Sequence, residues 1–187
     1  MNTPRLTQQL NEVVASVRIL RTGFAATAPR VWTPDSAAAE LSVQTGHVAH
    51  CVLARLGADI TDLHDPARPI IDLGDELADV VLSAISVAVL AGVVPDLVAP
   101  PRPPAGSVVD ALLRLVRDAG VLAEAAMIGH GSRHVPTGTP PSVPAAAAVV
   151  LDDCQRLADQ FGLDLVAEFR AMVADATGFL ARHGGDR

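Results

Sequence analysis

Apolar residues recur along this chain at spacings of three and four, the signature of helices with one buried face. Leu6, Leu10, Val13, Val14, Val17 and Leu20 predict an amphipathic helix from Leu6 to Thr22, with Arg18 and Arg21 near its C-terminus where cations suit the helix dipole. Thr33-Pro-Asp-Ser reads as the next helix start, with Asp35 or Ser36 as N-cap and the helix running from Ala37 to Leu56 before Gly57. Its polar positions Glu40, Gln44, His47 and Cys51 form one stripe beside Leu41, Val48 and Val52. The stretch from Asp72 to Gly92 opens with Asp72, Asp75, Glu76 and Asp79 and then turns apolar. Glu76, Asp79, Ser83 and Ser86 are its polar stripe, so most of its circumference is predicted to be buried. Helices over Val108–Met127, Ala145–Phe161 and Leu163–Arg182, the last two separated at Gly162, bring the number to about six. Pro95 to Gly106 reads as a semi-rigid linker and Gly129 to Pro144 as a loop. The predicted fold class is an all-α helical bundle.

Composition sharpens this picture. Half of the residues are hydrophobic while aromatics make up only 3%, and tyrosine is absent, which favours packed helices over a sheet. The formal charge of −7 and the lack of a basic stripe disfavour a nucleic acid polymer as partner. Two distant cysteines, Cys51 and Cys154, and no signal-type N-terminus point to a reduced, cytoplasmic protein. The uncharged run from Val80 falls short of the roughly 20 residues of a spanning helix, so no membrane association is expected. Trp32, the single tryptophan, reads as a packed plug or a lid over a helix end, with exposed base stacking as the alternative.

The candidate chemistry lies in the acidic helix. Glu76 and Asp79 are three residues apart on one face, and adjacent carboxylates repel unless a cation lies between them. A metal ion is one reading, and an acidic first turn that suits the helix dipole is the other. Glu40 and His47 lie on one face of the preceding helix, so Glu40, His47, Glu76 and Asp79 form a candidate mixed metal site. An imidazole ligand suits Mn²⁺ or Zn²⁺ better than Mg²⁺, while three carboxylates with His47 as a supporting residue would suit Mg²⁺. Arg55, Arg68 and Arg18 are the candidate phosphate partners. His50 reads as a surface residue and Cys51 as a small buried hydrophobe. His130 and His134 have a spacing open to metal, but no third ligand is evident nearby.

Self-similarity adds an organisation. LSVQTGHVAHCVL, from Leu41, aligns with LRLVRDAGVLAEAAM, from Leu113, on Gly46 and Gly120, and the helix ending at Gly92 aligns with that ending at Gly162. The offsets are 74 and 70 residues, suggesting a duplicated helix–loop–helix unit: residues 1–97, a linker at 98–106, and residues 107–187. LLRLVRDAGVLAEAA followed by LDDCQRLADQFGLDL, with Asp75-Glu76-Leu77-Ala78-Asp79 in the first half, resembles the MazG-like, all-α NTP pyrophosphohydrolase superfamily. That resemblance implies acidic helices of the forms EExxE and ExxD holding a divalent metal, Mg²⁺ or Mn²⁺, against a nucleotide's phosphates. It further implies hydrolysis of an NTP or dNTP to NMP and pyrophosphate, substrate contacts from Gln44, Arg55 and Arg68, and a homodimer. The chain departs from the pattern at the EExxE positions, where it has Val43, Gln44 and His47 in one half and Arg117, Asp118 and Val121 in the other. Ala146 and Val149 replace ExxD in the second half. These departures leave a second expectation open, a catalytically degenerate bundle that binds a nucleotide or another protein.

Overall fold

Six helices form where the apolar periodicity places them: α1 (Leu10–Thr27), α2 (Pro34–Arg55), α3 (Leu73–Leu90), α4 (Val108–Gly129), α5 (Val143–Phe161) and α6 (Leu165–His183). The computed structural model describes residues 5–28, 30–63, 66–67, 69–132 and 138–183. Among them there is no strand, and no helix is long and apolar enough to cross a membrane.

The helix ends follow from local chemistry. Thr33, not Asp35 or Ser36, caps α2: its hydroxyl accepts from the Ser36 amide at 3.2 Å, and the Thr33 amide donates back to Ser36 Oγ at 2.7 Å. Pro34 then occupies the first helical position, where a missing N–H costs nothing. Asp72, Ser107 and Ser142 cap α3, α4 and α5 by accepting from the amides of Gly74, Asp110 and Ala145. Residues Leu6–Gln9 form a 3₁₀ turn ahead of α1, which continues past Thr22 to Thr27. Gly23, within that extension, lets Leu180 of α6 pack close, since a Cβ there would stand 2.5 Å from Leu180 Cδ1.

α3 is the axis of the molecule. Every residue from Val80 to Ala88 is buried, and α1, α2, α4, α5 and α6 all touch this helix. The α2–α3 and α4–α5 pairs pack side by side, with α2 on α4 and α3 on α5, while α1 and α6 cover α3 from outside. Only the two ends of α3 reach the surface, with Asp75 exposed and Glu76 and Asp79 half-buried at its start and Val89 and Leu90 half-buried at its finish. α2 and α4 have 22 residues each and begin 74 positions apart, and α3 and α5, of 18 and 19 residues, begin 70 apart.

Candidate functional site

The polar edges of α1, α2 and α3 meet in a cleft of about 420 Å³. α1 contributes Arg21 and Phe24, the segment before α2 contributes Trp32, α2 contributes Glu40 and Gln44, and α3 contributes Asp79. Arg21 is interior to α1 because that helix does not stop at Thr22, so its side chain enters the cleft instead of facing the dipole at a helix end. Its guanidinium lies 4.5 Å from the Trp32 ring centroid and 5.1 Å from that of Phe24, a double cation–π arrangement.

Two atoms of this guanidinium, Nε and Nη1, are buried and have no hydrogen-bond partner, and neither has Oε1 of Gln44. Burial draws Arg21 below its usual range, against the opposing pull of Glu40 and Asp79. The same crowding acts on Asp79, whose carboxyl is pushed up to about 7, first by burial and then by Asp75, Glu76 and Glu40, with Arg21 pulling it down. Asp79 is therefore close to half-protonated at neutral pH.

The sequence-predicted residues divide among several partnerships. Glu76 accepts from Nδ1 of His47 at 3.0 Å, and Glu40 accepts from Nε2 of Gln44 at 2.9 Å. Asp79 shares the cleft with Arg21. Among the described residues no group of three or more His, Cys, Asp or Glu side chains is arranged to hold a metal ion. Arg55 is exposed at the end of α2, and Arg18 is exposed on α1. Arg68 and His134 lie outside the described residues. Cys51 is buried, and that burial, reinforced by Glu76, pushes its thiol up to about 11, which leaves it unreactive.

Trp32 also borders a mainly apolar cavity of about 560 Å³ at the ends of α3 and α4. Nearby, His130 Nδ1 lies 2.9 Å from Asp35 Oδ2, which also accepts from Ser132 Oγ. Both groups turn to Asp35, and the same Nδ1 is 3.5 Å from the Ser132 hydroxyl, so His130 offers that serine no second nitrogen as base. This trio ties the start of α2 to the end of α4. Comparison with known protein families, with curated proteins and with solved structures finds no match.

Proposed function

We propose that the α1–α2–α3 cleft binds a small planar anion of the nucleotide class, and that the chain is a degenerate, non-hydrolysing relative of the MazG-like pyrophosphohydrolases. The observation that carries this reading is the pair of buried, unpartnered Arg21 N–H groups beside the face of Trp32. An unpaired buried donor costs about 1–3 kcal/mol, which a phosphate oxygen would recover through a charge-assisted bond. Trp32 and Phe24 offer faces for a ring, while Gln44 Oε1 and a protonated Asp79 supply an acceptor and a donor for polar edges. The matching lengths of the helix pairs, 22 with 22 and 18 with 19 residues, and their similar offsets support the duplication. The homodimer is part of the same proposal, and light scattering that returns only monomer removes it.

Metal-dependent hydrolysis is the second reading, favoured by the repulsion that Glu76 and Glu40 exert on the Asp79 carboxylate. One experiment separates the two. Trp32 is the only tryptophan and there is no tyrosine, so fluorescence reports on Trp32, and loss of the response in Arg21→Met assigns it to this cleft and not to the second cavity that Trp32 borders. Nucleoside mono- and triphosphates are titrated with and without Mg²⁺ or Mn²⁺, and pyrophosphate is assayed in the same samples. Saturable quenching without pyrophosphate release supports the binding module. Metal-dependent release that disappears in Glu76→Gln/Asp79→Asn establishes the enzyme instead. No fluorescence response to any nucleotide discards both.

A further inference from the structure

The other helix pair carries a cation of its own. Arg102, from the proline-rich segment between α3 and α4, donates from Nη1 to Asp118 Oδ2 and from Nη2 to Asp153 Oδ1, each at 2.5 Å. Asp152 Oδ2 stands 3.6 Å from the same Nη2. Asp118 also accepts two 2.8 Å bonds from Arg117, and Asp152 accepts from Arg156 at 2.6 Å, so the outer carboxylates have cations besides Arg102. Asp153 is only 2% exposed, and its Oδ2 accepts no bond. A cavity of about 210 Å³ opens beside the cluster, bordered by Arg102, Asp118, Val121 and Val149.

The placement is not arbitrary. Asp118 sits at the same position along α4 as Gln44 along α2, and Asp153 at the same position along α5 as Ser83 along α3. Gln44 and Ser83 both line the first cleft. Each helix pair therefore presents a polar pair at matching depth, and in the second pair both members are acids.

We propose that Asp118 and Asp153 form a binding site for a small guanidinium or amidinium cation, which the chain closes against outside ligands with its own Arg102. Two carboxylates accepting from the two terminal nitrogens of one guanidinium match the planar fork of that group. A divalent metal is a poorer match, because no set of three ligating side chains is arranged for one among the described residues. The strap that delivers Arg102 is held at few points. Asp96 N donates to Pro144 O at 3.1 Å, Arg114 Nη1 donates to Pro103 O at 2.7 Å, and Gly106 N donates to Asp110 Oδ2 at 2.9 Å. Pro100, Pro101, Pro103 and Pro104 have no amide to donate, so the Arg102 guanidinium is the side-chain anchor of the strap's middle, while Pro95 is buried and Ala105 packs against the core nearer its ends.

The test is chemical replacement of the missing side chain. Arg102→Ala is expected to unfold at lower temperature than wild type. Millimolar methylguanidinium should then raise its Tm saturably, with a matching one-site isotherm by calorimetry. Wild type and Arg102→Ala/Asp153→Asn should not respond. Methylammonium and MgCl₂ at equal concentration should give no comparable rise. A folded Arg102→Ala that ignores methylguanidinium overturns the proposal, as does an equal response to methylammonium or MgCl₂. Where Arg102→Ala does not fold alone, recovery of helical circular dichroism in methylguanidinium is the supporting result. In that case Arg102→Gln is titrated as well. Its saturable stabilisation by methylguanidinium supports the site, and failure to recover together with a folded, unresponsive Arg102→Gln overturns it.

Discussion

His47 of α2 and Glu76 of α3, 29 residues apart in sequence, meet at 3.0 Å with both side chains largely shielded from water. This contact ties α2 to α3 one turn before Asp79. Removing the imidazole in His47→Ala should cost about 1–3 kcal/mol, because Glu76 loses a partner in a poorly solvated place. In a chain of this size that is a fall in Tm of several degrees, taking about 2–4 °C per kcal/mol. His47→Gln, which keeps a donor, should lose less, and calorimetry of the two variants checks the order.

Asp79 predicts a pH dependence. Its folded-state carboxyl titrates at about 7, above the ordinary carboxylate range, so the folded chain holds this proton where the unfolded chain has released it. Stability from this group is complete below the unfolded value and is lost as pH rises toward about 7. Asp79→Asn should therefore be more stable than wild type at pH 8, by about 1 kcal/mol after discounting for solvent screening. The gain should vanish near pH 4. Denaturant unfolding of both proteins across that range is the measurement, and a gain that does not change with pH contradicts the assignment.

Arg21 predicts a separation of stability from binding. Its guanidinium is drawn down by burial and leaves two donors unpaired, so Arg21→Met should hold its unfolding free energy within about 1 kcal/mol of wild type or exceed it. The same variant should lose the Trp32 quenching response to nucleotide at least tenfold, about 1.4 kcal/mol in binding. A variant that unfolds without losing affinity would reverse the roles given to Arg21.

Gly162 ends α5 in the left-handed region at φ +67°, while the Leu163 amide returns to Ala158 O at 3.0 Å. Nothing crowds a Cβ there, so Gly162→Ala isolates the conformational term. A loss of about 1–2 kcal/mol is expected, measurable by thermal unfolding.

The helical class and all six helices are legible because 3.6-residue periodicity is a local signal, clearest in α4 and α5, while in α3 an acidic start gives way to a mostly apolar run. The start of α2 was misjudged by two or three residues. Pro34 looks like a barrier ahead of the helix, yet it suits the first helical position once Thr33 caps it. The polar stripes on α2 and α3 led to the right helix faces, but not to who pairs with whom. Glu40 bonding to Gln44 and Glu76 to His47 depend on side-chain rotamers, which spacing leaves open. Arg21 was assigned to the dipole because the helix was ended at Thr22, and five further residues change its surroundings from a helix terminus to a cleft wall. Arg102 had no local signal at all. Its partners are 16 and 51 residues away, and only the packing of α4 on α5 brings Asp118 and Asp153 together beneath the strap.

The enclosure of α3 has a consequence for how this chain can vary in length. A helix buried on every side from Val80 to Ala88 has no solvent face on which an extra residue can be hidden. One inserted residue would turn everything beyond it by about 100°, since 3.6 residues complete a turn. Ser83 would leave the cleft, and Ile85 and Val87 would meet the wrong neighbours. The described residues between α2 and α3 and between α3 and α4 lie outside the α-helices, and insertions among them leave the helices unrotated. Among homologues, α3 should therefore keep a constant number of residues while the segments at its two ends differ in length.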